Sequence, residues 1–214
     1  NFRDDQAAIE EGLAQLPRFA RAMAELGCTR VATWLMPWHE TLSYQDHFEQ
    51  LRARTVRICK VLAQHGLRYG LEFVAPETSR AGKPNPFIHD LAGLMSLIEA
   101  VGADNLGVLL DSWHWYTSGG SVNDLDKLSD RLVVAVHVND APPGIAVEEQ
   151  LDSVRAMPGE TGVIDIGAFM GALARVGYTG PIIVEPFCKW VQALPAEKAV
   201  EATAKSLDRI WPVA

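Results

Sequence analysis

Residues 106–111 read Leu106-Gly107-Val108-Leu109-Leu110-Asp111, an apolar run closed by a single acid. The run does not alternate polar with apolar, so it predicts a strand covered on both faces, the pattern of a parallel sheet sandwiched by helices. The flanks agree. Upstream, Leu91, Leu94, Leu97 and Ile98 recur at helical spacing up to Gly102. Downstream, a short helix over Val122 to Leu128 precedes a second almost wholly apolar strand, Leu132 to Val138. The alternation extends in both directions. Ile9 to Leu26 forms one apolar helical face stopped by Gly27, and strand Val31–Met36 is closed by Pro37. Helix Phe48–Leu62 is ended by Gly66, and strand Leu67–Val74 is closed by Ala75-Pro76. Beyond the core, helix Ile166–Leu173 is ended by Gly177, Pro181–Val184 is a strand, and a last helix runs from about Glu197 to Ile210. Five strands alternating with helices define the α/β class. No Gly-rich phosphate turn follows any strand, which lowers the weight of nucleotide folds.

The 214 residues are 48% hydrophobic and 21% charged, which suits one globular domain and excludes a disordered chain. No apolar run is long enough to span a bilayer. The net charge of −8 offers no basic face for nucleic acid or an anionic membrane. Cys28, Cys59 and Cys188 are an odd, widely spaced set, which points to a reducing compartment such as the cytoplasm rather than to disulfides.

The strand ends carry the chemistry. Glu72 lies near the end of the second strand, Asp111 closes the third, His137 lies within the fourth, and Glu185 follows the fifth. A buried charge costs several kcal/mol unless paired or metal-bound, so four ionisable groups at equivalent places argue for one site. In a parallel α/β architecture all C-terminal strand ends share a face, where active sites form. Three carboxylates and an imidazole suit a divalent cation: Mn²⁺, Mg²⁺ or Co²⁺, with Zn²⁺ also compatible.

Around them, His114 follows Asp111 by three residues, just past the strand, and is a candidate substrate-binding residue. Trp34, Trp38, Trp113 and Trp115 stand near strand ends as candidates to wall an apolar pocket, with core packing the simpler expectation for Trp34. The long irregular stretch Asn139 to Gly162 is a candidate active-site loop; it carries Asp152 and Arg155, the latter able to bind a substrate hydroxyl or phosphate or to pin the loop. The Pro- and Gly-rich stretch from Ser79 to Phe87 is either a rim over the pocket or a peripheral loop. His47, His65 and His89 are expected on the surface or as caps.

The ordered set Leu71-Glu72-Phe73, Leu110-Asp111-Ser112-Trp113-His114, Val136-His137-Val138-Asn139-Asp140, Pro158-Gly159-Glu160 with Ile164-Asp165, and Val184-Glu185-Pro186-Phe187 resembles the sugar phosphate isomerase/epimerase family with the xylose isomerase-like (β/α)8 TIM barrel. It is most similar to the inosose isomerase and dehydratase branch, and also to the ketose 3-epimerases. The resemblance implies that Glu72, Asp111, His137 and Glu185 hold the metal and that Glu72 and Glu185 form the acid/base pair. It also implies that His114 binds substrate, joined by the candidates Arg155, Trp113 and Trp38. The implied reaction is isomerisation or epimerisation of a keto-sugar, an inosose or its phosphate through an enediolate. Dehydration of a keto-polyol is the nearest alternative, and an endonuclease IV-like metal hydrolase a more distant one. The implied partner is a small sugar or cyclitol, with no nucleic acid or membrane, and a homo-oligomer is compatible.

This chain departs from the ketose epimerases, which place a glutamate soon after the first metal Glu and an arginine soon after the metal His. Here Glu77 stands five positions after Glu72 and Arg155 eighteen after His137, which favours the inosose-like branch. A full barrel of this kind has eight strands and about 250 residues. The chain begins Asn1-Phe2-Arg3-Asp4-Asp5 without Met, and residues 1–214 are expected to form a single N-terminally incomplete barrel domain holding strands four to eight and lacking the first three.

Overall fold

The computed structural model describes residues 5–211, so expectations placed on Asn1 to Asp4 lie outside the described residues. Five parallel strands run in the order β1 (Arg30–Leu35), β2 (Arg68–Phe73), β3 (Leu106–Asp111), β4 (Val133–Val138) and β5 (Ile182–Val184). The helices are α1 (Gln6–Glu25), α2 (Tyr44–Ala63), α3 (Leu91–Val101), α4 (Ser112–Thr117), α5 (Val122–Leu125), α6 (Ile166–Arg175), α7 (Lys189–Gln192) and α8 (Ala196–Ile210). Strand order equals chain order, as in a barrel wall and unlike a doubly wound sheet, whose order reverses.

The sheet is strongly curved. Arg30 Nη1, from β1, donates to the Val134 carbonyl of β4 at 2.9 Å. In a flat sheet those strands would stand about 14 Å apart, beyond the span of one arginine side chain. Arg68 ties the same end together, its Nη2 donating to the carbonyls of Asp130, Arg131 and Val133. The fold is therefore a parallel five-stranded part of a TIM barrel.

Sequence explains the elements. The sides of β2 and β3 away from the lumen pack through Leu71, Phe73, Val108 and Leu110 against α2 and α3, whose Leu51, Leu62, Leu94 and Leu97 are fully buried. Asp5, Ser43, Asp90 and Asp165 cap α1, α2, α3 and α6 by accepting backbone N–H bonds. Two expectations change. The chain turns helical at Ser112, directly after β3, because Asp111 Oδ1 accepts the Trp113 N–H at 2.7 Å and caps α4; the short helix α7 was likewise not anticipated. His47, expected at the surface, is buried under Phe87 and beside His39.

Two predictions follow from packing. A methyl group at Gly107 would fall on the Leu132 backbone carbonyl, so Gly107→Ala should lower stability by about 1–3 kcal/mol in urea melts, the cost of an overpacked core. Burial, aided by His39, lowers the His47 pKa from 6.5 to about 4. A lowered folded-state pKa means that the stability conferred by neutral His47 is whole above 6.5 and is lost as pH falls toward 4, at no more than about 1.4 kcal/mol per pH unit. His47→Phe should flatten that part of the stability–pH curve.

Candidate metal centre and substrate cavity

The C-terminal ends of β2, β3, β4 and β5 bring Glu72, Asp111, His137 and Glu185 together. Asp111 and His137 are register partners across β3 and β4, and Glu185 follows Val184, the partner of Val138. His137 Nδ1 lies 3.5 Å from Glu72 Oε1, 3.7 Å from Glu185 Oε2 and 4.0 Å from Asp111 Oδ2. Both Glu72 Oε1 and His137 Nδ1 are buried and make no hydrogen bond. Such atoms are costly to leave unpaired. Nitrogen and oxygen ligands about 2.1 Å from one ion stand about 3–4 Å apart, which is the spacing seen, and ligand atoms of Glu72, Asp111 and His137 all lie within 4.8 Å of one another. The residues fit a divalent cation.

Arg155 completes the charge cluster. Its side chain is 1% exposed, and Nη1 donates to Asp111 Oδ2 at 2.7 Å and to Glu185 Oε2 at 3.1 Å. Nη2 donates to Asp152 Oδ1 at 2.8 Å, and Nε to the Asp152 carbonyl at 3.0 Å. The guanidinium lies over the rings of Trp113 and Phe187 at 5.3 and 5.0 Å. Burial works against the Asp111 charge, but Arg155, with His114 and His137, brings its pKa down to about 2. Burial raises Glu72, with Asp111 adding to the effect. Burial also opposes the charge of Glu185, yet His137 and Arg155 hold it low. Burial disfavours the imidazolium of His137, but Glu185, Glu72 and Asp111 outweigh it and push the pKa to about 10.

These groups open on a cavity of about 350 Å³. Its apolar wall includes Trp34, Met36, Val74 and Phe187, and its polar wall Glu72, Ser79, His114, Asp152, Arg155 and Glu185. His114 Nδ1 accepts the Ala75 N–H at 3.3 Å, and Nε2 lies 3.5 Å from Arg155 Nη2 and 3.7 Å from Asp152 Oδ1. The 139–162 loop is held by Asp140, whose carboxylate accepts four backbone N–H bonds, from Ala141, Thr161, Gly162 and Ile164. An antiparallel bridge between Asp140 and Ala156 then sets Arg155 in place.

Of the expected substrate residues, His114 and Arg155 reach the cavity. Trp113 does not: it is fully buried beneath the guanidinium, so its part is to support Arg155. Trp38 is also absent from the wall. It bridges to Pro86, with Lys83 over its ring at 5.0 Å, and so joins the 79–87 segment to the loop after β1. Trp34, a candidate for the pocket wall with core packing the simpler expectation, is 39% exposed and lines the cavity. Asp152 was named from sequence only as a residue of the loop, and Asp140 only within a motif; neither was given a role. An acid three residues before Arg155, and one directly after Val138-Asn139, were the available signals.

A family profile for the xylose isomerase-like TIM barrel matches residues 1–210. The chain belongs to the xylose isomerase-like TIM barrel family. An inosose isomerase from Halalkalibacterium halodurans is 29% identical over 151 residues, covering 69% of this chain and 49% of that protein. The chain thus spans about half the length of the curated inosose isomerases it matches. A xylose isomerase domain protein from Alicyclobacillus acidocaldarius superposes with a TM-score of 0.86 at 33% identity, over 98% of this chain and 74% of the other. The zinc-binding IOLI protein superposes at 0.82 with 20% identity, over 97% of this chain and 72% of the other, a likeness of fold. Among the described residues no helix is long and apolar enough to cross a membrane.

Metal ligation requires deprotonated His137, whose pKa of about 10 keeps it charged at neutrality. Binding of zinc or manganese should therefore release about one proton per ion from His137 and tighten as pH rises toward 10, measurable by calorimetry in buffers of different ionisation enthalpy. Asp111→Asn should weaken binding at least about tenfold, since even residues behind the ligands contribute that much in metal sites.

Proposed function

We propose that this site belongs to a divalent-metal-dependent isomerase or epimerase of a keto-sugar or inosose, acting by proton transfer at a carbon next to a carbonyl. The observation that carries this reading is the convergence of Glu72, Asp111, His137 and Glu185, two of them with buried ligand atoms that make no hydrogen bond, beside a cavity lined by both glutamates. The names of the inosose isomerase relatives support it. In this reading the chain supplies strands four to eight of an eight-stranded barrel, and the three free cysteines suit the cytoplasm.

Glu72, Asp111, His137 and Glu185 would hold the ion, with Mn²⁺, Mg²⁺, Co²⁺ or Zn²⁺ the candidates; when bound it would supply Lewis-acid polarisation of a carbonyl and its neighbouring hydroxyl. Glu185, its side chain 32% exposed against 9% for Glu72, is the carboxylate placed to take the carbon-bound proton, and Glu72 to return one. A carboxylate is a weak base toward such a carbon, so close approach must supply much of the rate. His114, on the polar wall, hydrogen-bonds a substrate hydroxyl. Trp34 and Phe187 cover the apolar face of the substrate and exclude water from the reacting carbon.

Metal-loaded full-length protein should exchange a carbon-bound proton of a keto-polyol with solvent, visible by NMR in D₂O over a panel of ketoses and inososes. The product separates isomerisation, epimerisation and dehydration. Glu185→Gln should slow exchange by about 10²–10⁴, the usual contribution of a positioned acid/base; unchanged exchange would remove Glu185 from the mechanism.

A further inference from the structure

Arg155 is the one Lys or Arg side chain among the described residues lining the cavity. A lone guanidinium beside a small-molecule pocket ordinarily reads as an anchor for a carboxylate or phosphate. Here its donors are already taken. Nη1 faces Asp111 and Glu185, both in the proposed ligand set. The side that remains, Nη2 and Nε, is clamped by Asp152 through its carboxylate at 2.8 Å and its carbonyl at 3.0 Å. This clamp is local, between residues three apart, and so does not depend on whether a metal ion draws Asp111 and Glu185 toward itself.

The clamp is also unlike a surface ion pair. Arg155 is 1% exposed and seated between Trp113 and Phe187, whereas the Asp152 side chain is 38% exposed on the cavity wall. Asp152 thus presents negative charge where an incoming ligand would meet the guanidinium. The wider field has the same sign. Four carboxylates, Glu72, Asp111, Asp152 and Glu185, share the site with one guanidinium that contacts three of them, and a divalent ion would leave the balance negative. The cations of the neighbouring 79–87 segment are engaged as well: Arg80 pairs with Glu77 at 2.5 Å, and Lys83 lies over Trp38.

We propose that Asp152 is a specificity-determining residue that restricts this cavity to uncharged keto-polyols, by occupying the outward face of Arg155 and denying it to the carboxylate or phosphate of an anionic ligand. The proposal rests on the keto-polyol reading and narrows it to non-phosphorylated, non-carboxylated substrates. Asp152 acts through Arg155 and through the field at the mouth, not on the reacting carbon.

The test uses zinc-loaded full-length protein and sulfate as the probe, a dianion with low affinity for the metal, at ionic strength held constant with chloride. Tryptophan fluorescence reports binding, because Trp34 lines the cavity and Trp113 lies under Arg155. Asp152→Asn, nearly isosteric but uncharged, should bind sulfate roughly tenfold or more tightly than the wild type, since a like charge beside the ligand is removed. Asp152→Ser repeats the comparison should circular dichroism show the amide variant unfolded. Equal sulfate affinity in wild type and variants overturns the proposal, as does wild-type exchange of anionic ketoses as fast as neutral ones. The sulfate readout needs no turnover. Absence of proton exchange from every ketose would therefore sink the isomerase reading while the fluorescence comparison still decides the role of Asp152.

Discussion

Three carboxylates at neighbouring strand ends and a fourth, Asp152, on the 139–162 loop repel one another, and Arg155 is the cation that holds three of the four in place. It contacts Asp111 and Glu185 through one nitrogen and Asp152 through another while nearly excluded from solvent. A buried guanidinium without partners would cost several kcal/mol, and so would the buried Asp111 without it. Each group makes the other tenable. The aromatic surfaces of Trp113 and Phe187 fix the plane of the guanidinium, and Asp140 fixes the loop that delivers it.

The fold creates the crowding that Arg155 relieves. Parallel strands in chain order place every C-terminal end at one rim, and curvature, seen in the reach of Arg30 from β1 to β4, turns that rim inward. Glu72, Asp111 and His137 then lie within reach of one ion. The opposite end is closed by Arg30 and Arg68 bonding to strand carbonyls, so rigidity sits at one end of the sheet and chemistry at the other. Asp111 belongs to both roles: one oxygen caps α4 and thereby aims His114, and the other faces Arg155.

Much of this was legible in sequence because two local rules act strongly. Continuous apolar runs bounded by Gly and Pro located all five strands; in β2, β3 and β4 burial on both faces leaves little room for polar side chains, whereas β1 and β5 at the sheet edges are partly exposed. Ionisable residues at the ends of those runs stood out because burial makes them expensive. The short helix α4 was missed because Ser112 to Thr117 carries no apolar period; its start depends on the Asp111 cap. His47 was misplaced because its neighbours in space, Phe87 and His39, come from two different loops.

Sequence by itself determined the fold class, the five strands and the four residues at their ends, because periodicity and burial cost are written residue by residue. Only the tertiary structure decided which aromatic faces the cavity. Trp34 is on the wall and Trp113 beneath Arg155, a choice set by strand register and helix capping rather than by residue type. It also decided the partners of Arg155. It stands eighteen positions after His137, and loop spacing carries no distance information until Asp140 ties the loop back onto β4.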